Sequence, residues 1–146
     1  MSTDTAAYFV KVFCVLAMLE TIMNYVVIHA LGASKIQIPF VGFWDGFSLV
    51  VISPIVETFI LAYCVIVASQ PISNASLASI FAAAPMIGLH AIPEWQHALV
   101  ATPAMIGYAY VLGVIRQCAS AWTAITFVAV MHMVWNASIL GLHNFT

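Results

Sequence analysis

Four residues carry the chemistry this chain is equipped for: Glu57, His90, His132 and Asn136. Glu57 stands in the run Ser53-Pro54-Ile55-Val56-Glu57-Thr58-Phe59-Ile60-Leu61-Ala62, and no other Asp, Glu, Lys or Arg lies between Asp45 and Glu94. A carboxyl near the middle of an apolar membrane segment costs about 2.5–3.5 kcal/mol on insertion scales, so such groups face a protein interior or a wet cavity and have a partner. Histidine is a natural partner, because an imidazole beside a carboxylate can exchange a proton with it. His132 and Asn136 are four residues apart, which puts both on one helix face, one turn apart, where they can address a single site.

The elements that must position them follow from composition. The chain has 146 residues, of which 64% are hydrophobic and only 5% charged, with a mean hydropathy of +1.10. Soluble domains carry about a quarter charged residues. The sequence is that of an integral membrane protein. Each helix needs about 20 apolar residues to cross a hydrocarbon core of about 30 Å. The expected fold is therefore all-α: a polytopic bundle of about five transmembrane helices forming one domain over residues 1–146, with no room for a soluble domain. No basic patch exists, which excludes nucleic-acid binding. Cys14, Cys64 and Cys118 are scattered among apolar residues, fit neither a disulfide framework nor a zinc pattern, and read as small buried hydrophobes. Met1 to Thr5 is polar without a basic region, and the apolar stretch after it is too long for a cleaved signal, so it reads as a retained span.

The expected spans are 6–31, 47–69, 75–92, 97–115 and 119–142. The first carries Lys11, positioned to snorkel, and a stripe of Glu20, Thr21 and Asn24 read as facing other helices through hydrogen bonds. Residues 32–46 form the longest loop, with Phe40, Phe43 and Trp44 as interfacial anchors. Arg116-Gln117-Cys118 is a short turn. His29, His97 and His143 read as locally satisfied residues. Pro54 and Pro85 precede Glu57 and His90 by less than two turns; kinks there would free backbone carbonyls and open space beside the site. Spans three and five run parallel and span two runs against them. His90 and His132 lie in the C-terminal halves of their helices and Glu57 slightly before the midpoint of its own. At 1.5 Å per residue all of them share one half of the membrane.

The same residues resemble a known family. Pro54-Ile55-Val56-Glu57-Thr58-Phe59-Ile60-Leu61-Ala62 looks like the first motif of the CAAX protease and bacteriocin-processing membrane proteins, which reads Pro-x-x-Glu-Glu-x-x-x-Arg. Met86-Ile87-Gly88-Leu89-His90 stands where that family has Phe-x-x-x-His, and His132-Met133-Val134-Trp135-Asn136 matches its His-x-x-x-Asn motif. The approach to the last motif is similar too, with an Arg turn followed by Ser120-Ala121-Trp122. The resemblance covers about Pro54 to Leu140. It implies an intramembrane endopeptidase with metal-independent chemistry and no cofactor. Glu57 and His90 would activate a water, and His132 and Asn136 would stabilise the oxyanion. The substrate would be a peptide or membrane-associated protein, and the setting the lipid bilayer of a prokaryotic cell.

Three positions depart from that pattern: Met86 stands for Phe, a mild change in packing, and two more lie in the first motif. The second acidic residue is Thr58 and the arginine is Ala62, so both charges are absent together. The alternative expectation is thus a catalytically silent membrane scaffold or immunity-type protein of the same fold. Glu57, His90 and His132 also make a possible three-ligand zinc set, although the His-Glu-x-x-His helix signature is absent. A proton or ion pathway is a further reading of buried Glu and His.

Overall fold

The computed structural model describes residues 3–30, 42–92 and 95–143, and among them it is a bundle of five helices with no strand. They are α1 (Thr3–Ala30), α2 (Phe43–Ala68), α3 (Ala75–His90), α4 (Trp95–Cys118) and α5 (Ala121–His143). Helices α1, α2, α4 and α5 are long and apolar enough to cross a membrane. This makes the chain a multi-pass membrane protein. The outward residues agree, since Tyr63, Phe81 and Trp122 are all exposed in a protein with too few charges to shield them from water. With 16 residues, α3 is shorter than the other four; at 1.5 Å per residue it is about 24 Å long, less than a hydrocarbon core.

Several boundaries differ from the sequence expectation for local reasons. Phe43 and Trp44 open α2 instead of ending a loop, and their rings pack on each other and on Phe47; Phe40 lies outside the described residues. Arg116 to Cys118 remains helical, and the turn falls at Ala119 and Ser120. The Ser120 hydroxyl there accepts the Thr123 N–H at 3.1 Å, which satisfies one of the orphan donors at the start of α5. Asn74 does the same for α3, accepting from Leu77 N–H at 3.0 Å. Cys14 and Cys118 are exposed, so those two are not buried hydrophobes, whereas Cys64 is half-buried and packs against the core.

Helix α4 is the hub, packed against all four others, and it is the most buried of them. Small residues let the backbones close up, as in membrane bundles where packing replaces the hydrophobic drive. Ala78, Ala82 and Ala83 on α3 are buried, as are Ala101, Ala104 and Ala109 on α4. Gly107 marks a tight crossing: a Cβ there would lie 2.3 Å from Leu16 Cδ1 on α1.

Helix α2 contains one irregularity. Ser48–Ile52 winds as a π-helix, and the Ser53 N–H bonds back to Ser48 C=O, five residues away. Pro54, the next residue, has no N–H to give.

Candidate active site

Glu57 and Ser53 are one turn apart on α2, and the Ser53 hydroxyl donates to Glu57 Oε1. That bond fixes the carboxyl and leaves Oε2, which is buried without a hydrogen-bond partner, aimed at two imidazoles. His90 Nε2 lies 3.9 Å from it and His132 Nε2 3.6 Å from it. Both separations are ion-pair contacts longer than a direct hydrogen bond. His90 is the last residue of α3, and its Nδ1 lies 2.8 Å from Met86 C=O. A carbonyl only accepts, so Nδ1 carries a hydrogen, which leaves Nε2 as the ring nitrogen facing Glu57. His132 is buried on α5, with its ring 5.0 Å from that of Tyr108 at an angle of 37°. The three side chains that the sequence placed at one depth are thus brought into contact from three helices.

Asn136 joins the same site through the backbone. Its Nδ2 donates to Leu49 C=O at 2.9 Å. That carbonyl has lost both of its helical donors: the Ser53 N–H is taken by Ser48, and Pro54 has none. A carbonyl orphaned inside a bundle must find another donor, and Asn136 supplies it. One amide hydrogen is therefore committed to α2, leaving the second and Oδ1 for other work.

These groups line a cavity of about 250 Å³, walled otherwise by apolar residues such as Ala101, Ala104 and Met105. It also receives four polar residues to which the sequence gave no part in the site: Glu20, His97, Tyr108 and Trp135. Glu20 is buried, 8% exposed, whereas its neighbour Thr21 is exposed and bonds back to Ala17 C=O at 2.8 Å. Only Glu20 of those two turns inward, since adjacent helical residues point about 100° apart; the side chain of Asn24 lies outside the described residues. His97 faces the cavity from the first turn of α4, while His29 is exposed and packs on Tyr25. The side chain of His143 lies outside the described residues. Lys11 is exposed, as expected.

Thr58 and Ala62, the two departures from the first motif, lie outside this cavity lining. Thr58 is 1% exposed, with its hydroxyl buried and unpartnered. Ala62 packs against the core. Among the described residues, no group of three or more His, Cys, Asp or Glu is arranged to hold a metal ion.

Comparison with models of known protein families, with curated proteins and with solved structures finds no match to this chain. Fold and site together define a polytopic helical membrane protein with a Glu–His–His cluster facing an internal cavity.

Proposed function

We propose that the chain is an intramembrane endopeptidase in which Glu57 and His90 activate a water against a peptide carbonyl, in the cell membrane of a prokaryote. The observation that carries this reading is the approach of Glu57 Oε2 to His90 Nε2 and His132 Nε2, at 3.9 and 3.6 Å, beside a cavity. A water at this oxygen gives its proton to the Glu57 carboxylate as its own oxygen attacks the carbonyl carbon. His90, held by Met86, shares that proton and returns it to the leaving amine. Negative charge then develops on the carbonyl oxygen. The free amide hydrogen of Asn136 and the imidazole of His132 are the donors available to it, each worth about 2.7–4 kcal/mol in a dry site. Catalytic hydrogen bonds are commonly long without substrate, which suits the observed separations.

A second reading has an observation of its own. Glu57 Oε1 is tied to Ser53, and Asn136 is tied to Leu49. The first bond lies within α2 and the second holds α2 to α5, whether or not any peptide is cut, as a silent scaffold or immunity-type protein would require.

The test uses purified protein in detergent against a peptide library. Cleavage by wild type, reduced by about a hundredfold or more in Glu57→Ala and His90→Ala, is expected. Retained cleavage in Glu57→Ala sinks the assignment of the base, and a wild type inert toward every peptide favours the scaffold. Cleavage abolished by a chelator and restored by zinc replaces this chemistry with that of a metal.

A further inference from the structure

We propose that Glu20 is the anionic end of a subsite for an alkylammonium group, the side chain of a substrate lysine. The proposal rests on the peptidase reading for the word substrate, while the binding it describes does not. Glu20 comes from α1, outside the stretch that carries the family resemblance. It is 8% exposed and lines the same cavity as Glu57, His90 and His132. A carboxyl so placed in a membrane bundle requires a proton or a cation, and among the described residues no cation is paired with it. The ion pairs there both belong to Glu57. Lys11 is exposed and nine residues away on the same helix, about 13 Å along its axis. Arg116 is bonded to Ser69 at 3.3 Å, where α2 and α4 end, and Lys35 lies outside the described residues. Of the neighbouring polar groups, the Trp135 indole N–H is within electrostatic reach of the Glu20 carboxyl but makes no formed hydrogen bond. Tyr108 lines the same cavity, which therefore holds two carboxyl groups, Glu20 and Glu57, beside this ring.

The remaining walls select what kind of cation fits. Ala101, Ala104 and Met105 give an apolar lining for a methylene stem, and a lysine is such a stem with a compact charged head. A volume of about 250 Å³ is below the usual range for whole small-molecule sites and suits a single side chain. A peptide whose reacting carbonyl lies at Glu57 would thus place a neighbouring lysine ammonium on Glu20.

The experiment measures binding by calorimetry to full-length protein in nanodiscs, using two apolar peptides that differ only in lysine against norleucine. The lysine peptide is expected to bind wild type about tenfold tighter or more, as one charge-assisted contact gives. That preference should vanish in Glu20→Gln and persist in Glu20→Asp and Glu57→Gln. A second measurement needs no variant: labelling of wild-type Glu20 by a membrane-permeant carbodiimide, located by mass spectrometry, should be slowed by the lysine peptide and not by its norleucine twin. Equal binding of the two peptides, a preference that survives Glu20→Gln, or labelling that neither peptide slows overturns the subsite. Lysine-selective binding without any cleavage would remove the peptidase reading and keep the subsite, whereas equal cleavage of both peptides would do the reverse.

Discussion

Replacing Gly107 with alanine tests how α1 is seated, because that helix brings Glu20 to the cavity and comes very close to α4 at this glycine. The added Cβ would lie 2.3 and 2.4 Å from the two Leu16 methyls and 2.8 Å from Leu16 Cγ. Relief requires either that Leu16 leave its rotamer, carrying Cγ and both methyls with it, or that the two helices part. Opening the shortest contact from 2.3 Å to the 3.4 Å of ordinary packing requires about 1.1 Å of movement. Overpacking of this kind costs about 1–3 kcal/mol. Leu16 is one turn from Glu20 on the same face, so the shift also draws Glu20 away from the cavity. Unfolding of the purified protein in detergent should show Gly107→Ala destabilised by that amount. Leu16→Ala in the same chain should recover at least about 0.5 kcal/mol as a coupling term. A Gly107→Ala protein as stable as wild type, or one that Leu16→Ala does not relieve, refutes this account of the crossing.

Other expectations follow from single contacts. Asn136→Ala should cost about 1–3 kcal/mol in the same unfolding assay, because it strands Leu49 C=O. In a Pro54→Ala background, where residue 54 regains an N–H, that cost should fall by about 1 kcal/mol in a double-mutant cycle. Thr58→Val, which removes a buried unpartnered hydroxyl at nearly constant volume, should raise stability by about 1 kcal/mol. Under the peptidase reading, Ser53→Ala should lower kcat for peptide cleavage by about tenfold while leaving KM nearly unchanged, since it frees Glu57 Oε1 and takes only one hydroxyl from the cavity wall.

Much of this was legible in the sequence because lipid leaves the backbone few choices. With 64% hydrophobic residues and almost no charge, helices are the expected form, and the spans follow the polar and proline interruptions. Glu57, His90 and His132 stood out because an ionisable group in lipid is costly wherever it lies, and counting residues along each helix gave their depth. What depth cannot give is rotation about the helix axis. Glu20 and Thr21 looked alike on α1, and only the packing of α1 on α4 decides that one enters the cavity and the other faces out. Tyr108 and Trp135 were hidden for a different reason, since aromatic residues in an apolar helix carry no mark separating a cavity wall from a lipid-facing belt. The π-turn left only the trace of Pro54, read as a possible kink; the carbonyl it would free is the one that Asn136 occupies.

That bond has a bearing on how the protein is made. Leu49 and Asn136 are separated by 87 positions, and a ribosome releases the second helix long before it completes the fifth. Until α5 enters the bilayer, α2 holds a carbonyl that no backbone donor in its own helix can meet. A nascent or truncated chain that stops short of Asn136 would carry that defect permanently, and with it a helix that a membrane quality-control protease can recognise as unfinished. Helix α5 thus completes α2, which stays one hydrogen bond short until Asn136 arrives.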